Sequence, residues 1–109
     1  MKLPSKVKFA DEKVKEAFSE LSKVGESKIY NWLVRAFKDI EQNAFCGIQI
    51  PKRLIPKEYI KKYKVHNLWK YNLPDAWRLI YSIENQEILV VSIVLEWMDH
   101  KTYEKKFKY

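Results

Sequence analysis

The stretch Leu68-Trp69-Lys70-Tyr71-Asn72-Leu73-Pro74-Asp75-Ala76-Trp77-Arg78-Leu79-Ile80-Tyr81 decides how this chain folds. In its first half Trp69, Tyr71 and Leu73 alternate with Lys70 and Asn72, the period of two that marks a strand with one covered face. Pro74-Asp75 then supplies a turn, because proline presets φ and aspartate tolerates the corner. Beyond it Trp77, Leu79, Tyr81 and Ile83 oppose Arg78, Ile80 and Ser82, so a second strand returns beside the first. A polar turn over Glu84 to Glu87 leads to Ile88–Leu95, apolar on both faces as in a strand buried within a sheet. The economical arrangement of the three is an antiparallel meander.

Upstream of the meander the period changes from two to that of a helix. Val7 and Phe9 alternate with lysines and predict a short opening strand. Asp11 and Glu12 then favour a helix start, whose apolar face is Val14, Ala17, Phe18 and Leu21, with Gly25 as the stop. Ser27 can cap a second helix with a long stripe of Ile29, Trp32, Leu33, Ala36, Phe37, Ile40 and Ala44. The connection between Val24 and Ser27 is too short for anything but an antiparallel hairpin, and its apolar faces need a sheet to cover.

Periodicity fades from Cys46 to His66, where Gly47, Pro51 and Pro56 punctuate the chain, and only a brief helix from Pro56 through Tyr63 is predicted. This connection is the most basic stretch: Lys52, Arg53, Lys57, Lys61, Lys62 and Lys64 face a single acid, Glu58. The segment Asp99–Tyr109 reads as a polar, basic tail in which Tyr103, Phe107 and Tyr109, about a helical turn apart, can staple it to the domain. Trp32, Trp69, Trp77 and Trp97 are expected in the core, and Cys46 is expected to be a small buried residue.

The 109 residues are 47% hydrophobic and 15% aromatic, enough for one core, so a single domain over residues 1–109 is expected. One cysteine and two histidines, His66 and His100, exclude an internal disulfide and a four-ligand structural zinc site. Met1 to Lys8 has no apolar segment of signal-peptide length, and Ile88–Leu95 is too short to span a bilayer; a cytoplasmic protein without a membrane association is expected. Lysine and arginine number 21 against 14 acids, a net charge of +7 that favours polyanionic partners.

An α+β chain that runs from a short strand to a helix hairpin and then to a mainly antiparallel sheet resembles the RelE/ParE toxins of toxin-antitoxin systems. The local match lies in Leu68–Tyr103: an aromatic and basic strand, a short turn, and then Trp77-Arg78-Leu79-Ile80-Tyr81, similar to the aromatic-Arg-aliphatic-aliphatic-Tyr pattern of the RelE and YoeB kind. A buried strand and a basic-or-histidine segment ending in tyrosine follow, here Asp99-His100-Lys101-Thr102-Tyr103. The chain departs from the family where many members carry further cations, at Asn72 and in the final segment, which offers His100 and Lys101, and in the enlarged connection from Cys46 to Lys64.

The resemblance implies a ribosome-dependent endoribonuclease that cuts messenger RNA and is restrained by a cognate acidic antitoxin. Cleavage by the 2′-hydroxyl needs a base, cations for the developing phosphorane charge and an acid for the leaving 5′-oxygen, and no metal or cofactor. Arg78 can clamp the phosphate with its fork of donors, and Lys70 adds a second cation. His100 is the proton-transfer residue, Tyr103 a proton donor or stacking ring, and Glu58 a second base. Lys52, Arg53, Lys57, Lys61, Lys62 and Lys101 are the expected RNA contacts. The ParE branch, which inhibits DNA gyrase with the same fold, and a relative that only binds antitoxin or RNA are the alternatives. Each residue also has a plain structural alternative: a solvated strand arginine, a surface histidine, a solvated charge run.

Overall fold

A computed structural model describes residues 2–24, 27–86 and 89–107. The chain is α+β. Strand β1 (Lys6–Phe9) leads to α1 (Glu12–Lys23) and α2 (Lys28–Gln42), then β2 (Ile48–Gln49), α3 (Lys57–Tyr63), β3 (Trp69–Asn72), β4 (Arg78–Asn85), β5 (Val90–Met98) and α4 (His100–Phe107). The five strands form one mixed sheet in the order β1-β5-β4-β3-β2, with only the β1–β5 pair parallel.

The hairpin helices start where side chains can hold orphan backbone donors. Asp11 accepts from the Val14 amide at 2.9 Å and Ser27 from the Tyr30 amide at 3.2 Å. Leu33, Ala36 and Ile40 of α2 are fully buried against Leu79, Tyr81 and Val94 of the sheet, and Val14, Phe18 and Leu21 of α1 join them. All four tryptophans border this cluster, half-buried. Ala17 does not join it: although in phase with the apolar stripe, it is exposed. The expected glycine stop at Gly25, the end of the polar turn at Glu87, Ile88, and the Tyr109 staple lie outside the described residues.

Two expectations change on the other face of the sheet. The connection after α2 is more than a charged loop: it supplies β2, which pairs with β3 at Ile48↔Lys70 and Gln49↔Trp69, and then Ile50, Ile55, Tyr59 and Val65, buried on Leu68, Ile80 and Leu95. The polar tail beyond Asp99 is helix α4, and Tyr103 and Phe107, each 2% exposed, do staple it to the domain as their spacing allows, closing the same cluster with their rings stacked 4.5 Å apart. Both stretches hide their apolar residues among lysines, so mean hydropathy reports a solvated segment while one side of it is core. Cys46 is exposed, contrary to expectation: it ends a 3-10 turn, Ala44–Cys46, in which Ala44 takes the buried position.

The turn between β3 and β4 begins at the expected Pro74-Asp75 and runs through Ala76. Asp75 and Ala76 both have positive φ, 55° and 61°, and the Trp77 amide returns to the Pro74 carbonyl at 3.2 Å. Consecutive left-handed residues are the signature of hairpin turns whose twist matches that of the strands. The turn sets Asn72 opposite Arg78 and Lys70 opposite Ile80.

Candidate nucleic-acid interface

Lys70 on β3 and Arg78 on β4 project from the sheet face opposite the hairpin, and Met98, the register partner of Arg78 on β5, ends its strand just before α4. The Asp99 side chain accepts from the Thr102 amide at 2.9 Å and starts that helix. One turn in, Tyr103 lies against the sheet. The Lys70 ammonium is 5.0 Å and the Arg78 guanidinium carbon 5.6 Å from the centre of its ring. Two cations from adjacent strands therefore share one aromatic ring, each within the range of a cation–π attraction. Arg78 also donates to the Trp77 carbonyl at 3.2 Å, while its Nε is buried with no acceptor among the described residues.

The expected site residues divide into three groups. Lys70, Arg78 and Tyr103 come together, but Arg78 is half-buried under α4 rather than standing on an open strand face, and Tyr103 presents almost no surface. His100 opens α4 on the solvent side, its Nε2 2.7 Å from Oε1 of Glu104 one turn later, with Lys101 exposed beside it. Glu58 is drawn elsewhere: it lies 3.2 Å from the Lys106 ammonium, which is 2.9 Å from Glu96. Lys52, Arg53, Lys57, Lys61 and Lys62 are all exposed on the 3-10 turn Lys52–Leu54 and on α3, forming a basic ridge. Lys62 leans toward Asp11 at 3.8 Å.

The Glu58–Lys106–Glu96 group escapes sequence reading, since its members come from three elements. Tyr59 donates a short hydrogen bond to Glu96, and the Lys106 ammonium sits 5.1 Å from the Tyr59 ring centre. Burial and the Glu96 carboxylate drive the Tyr59 hydroxyl far above its ordinary range, so it stays protonated. Burial works against the Lys106 charge, yet bonds to Glu96 and Glu58 outweigh it and raise the ammonium above its usual value. The group bolts α3 and α4 to β5. No local spacing in the sequence connects its members.

Among the described residues no cluster of histidine, cysteine and carboxylate side chains can hold a metal, and no helix is long and apolar enough to cross a membrane. No protein-family model, curated protein or solved structure matches the chain. The side chains themselves are what bear on function.

Proposed function

We propose that the protein is a toxin of the RelE/ParE type that binds and cuts messenger RNA on the ribosome, in the cytoplasm, under the control of an acidic antitoxin. The observation that carries this reading is the convergence of Lys70 and Arg78 on Tyr103. Two cations held by one ring are preorganised to meet a phosphate, and preorganised charge is the largest single contribution to stabilising a phosphorane-like transition state. Tyr103, being buried, positions the cations and does not touch RNA. His100, oriented by Glu104, takes the proton of the 2′-hydroxyl, and the departing 5′-oxygen takes its proton from water. The ridge from Lys52 to Lys62 and the exposed Lys101 supply salt-sensitive phosphate contacts. The order of strand, helix hairpin and antiparallel strands is the order on which the family resemblance rests.

A second reading, a binder without cleavage of the gyrase-inhibiting or RNA-binding kind, is favoured by the burial of Tyr103 and the engagement of Glu58 with Lys106, which leave His100 as the open proton-transfer group of the three expected. Controlled expression separates the two. Messenger RNA 5′ ends and DNA breaks are mapped after induction of the wild type and of Arg78→Ala. New cuts within translated codons that vanish in the variant support the nuclease; DNA breaks without RNA cuts support the gyrase alternative; neither leaves a binder of RNA or antitoxin.

A further inference from the structure

The parallel pair β1–β5 ends unevenly. Its register runs from Lys6↔Val91 to Phe9↔Val94, and the Ala10 amide makes a last bond to the Val94 carbonyl at 2.9 Å. There β1 departs, while β5 continues to Met98 with no partner strand on that side among the described residues. At the same point β5 is bulged, Tyr81 facing Val94 and Ile80 facing Glu96. A bulge re-aims the residues that follow it. The two strands then send their helices to opposite faces: α1 packs with the hairpin cluster, and α4 packs with the other. In open sheets such a divergence leaves a crevice beyond the carboxyl ends of the strands, the usual seat of a ligand.

A cavity of about 420 Å³ occupies that place, lined among others by Lys13, Ala17, Lys62, Tyr63, Glu96 and Trp97. Small-molecule sites run from roughly 300 to 1,000 Å³ and combine apolar walls with a few polar groups. The charges here are unevenly matched. Lys106, deeper in, is held by Glu58 and Glu96; Lys62 has one carboxylate at ion-pair distance, Asp11 at 3.8 Å, and lies over the Tyr63 ring at 5.1 Å, and Lys13 has no carboxylate at ion-pair distance, all among the described residues. Trp97, Val14 and Ala17 give an apolar wall, with Glu96 as a hydrogen-bond acceptor on the far side.

We infer that this crevice is a binding site for a small aromatic anion of the nucleoside monophosphate class, its base against Trp97 and its phosphate between Lys13 and Lys62. The site is separate from the Lys70–Arg78 pair and shares only Lys62 with the proposed RNA contacts, so it stands whether or not the protein cuts RNA.

The test uses the full chain and adenosine 5′-monophosphate as the probe, with amide and indole N–H shifts followed by NMR. Saturable shifts are expected at Lys13–Ala17, Tyr63 and the Trp97 indole. Adenosine should bind about tenfold more weakly, the loss expected when a charge-assisted hydrogen bond is removed. Ala17→Trp, at an exposed helix position, should fill the crevice and abolish the shifts; if that variant fails to fold, Ala17→Glu places a carboxylate at the same mouth and should do likewise. The inference is overturned by shifts centred on Lys52–Lys61, by non-saturating shifts at millimolar probe, or by binding that a folded Ala17 variant leaves unchanged.

Discussion

The Arg78 guanidinium carbon lies 5.6 Å from the centre of the Tyr103 ring, so a strand cation and a helix aromatic separated by 25 positions form one unit. Lys70 completes it from the opposite strand. A residue that alternation alone assigns to open solvent is thereby partly structural.

Arg78→Ala should accordingly do two things. It should remove RNA cleavage, and it should cost about 1 kcal/mol of stability through the missing cation–π attraction and the buried part of the side chain. Arg78→Lys should recover most of the stability but little of the cleavage, since a point charge replaces a fork. Urea titrations beside cleavage of a translated messenger measure both, and full cleavage by folded Arg78→Ala would remove Arg78 from the chemistry.

The basic ridge is tested through salt. Lys57 and Lys61 are exposed on α3 without an ion pair among the described residues. Replacing both by alanine should leave the melting temperature unchanged and flatten the dependence of RNA affinity on salt by about 0.7 for each phosphate no longer neutralised. An unchanged slope would make the ridge a solvated face only.

Tyr81 fastens the segment after α2 to the sheet: its hydroxyl donates to the Ala44 carbonyl at 2.7 Å and accepts from the Gly47 amide at 3.0 Å. Tyr81→Phe strands both groups and should cost about 1–3 kcal/mol in urea denaturation. Gly47→Ala should be at least as severe, because a Cβ there would stand 2.6 Å from the Lys70 carbonyl oxygen and from the Tyr81 hydroxyl. Here glycine serves close approach.

The β3–β4 turn offers a gain. Ala76 adopts φ 61°, where a Cβ is strained, so Ala76→Gly should stabilise the protein by roughly 0.5–1 kcal/mol, the relief outweighing glycine's added freedom when unfolded. A rise in melting temperature is expected, and a fall would contradict the strain.

Asp11 gives the acid limb of the stability curve. The hydrogen bond from the Val14 amide holds its carboxyl below the ordinary 3.8, burial opposing and Tyr63 and Lys62 assisting. Because the folded value is depressed, the contribution is fully present above the unfolded value and is lost as pH falls through the folded one. Asp11→Ala should cost about 1 kcal/mol near neutrality. Asp11→Asn keeps the cap acceptor and should lose stability less steeply than the wild type as pH falls to about 3.

Read alone, the sequence determined the elements whose periodicity is clean: the two hairpin helices, one with its acidic start at Asp11 and Glu12 and the other with its cap at Ser27, the turn at Pro74-Asp75, and the shared faces of Trp69 with Tyr71 and of Leu79 with Tyr81. These follow from near neighbours along the chain, where spacing and side-chain type are sufficient. Only the tertiary structure decided that the second sheet face is covered, that the staple of Tyr103 and Phe107 closes over that face and meets Lys70 and Arg78, that Glu58 engages Lys106 rather than the Lys70–Arg78 pair, and that Cys46 and Ala17 lie outside the core. The physical reason is the same in each case. Lysine-rich segments carry their few apolar residues without a strong period, and ion pairs such as Glu58–Lys106 join residues far apart in sequence. Which face such residues present is settled only when the sheet they cover has formed.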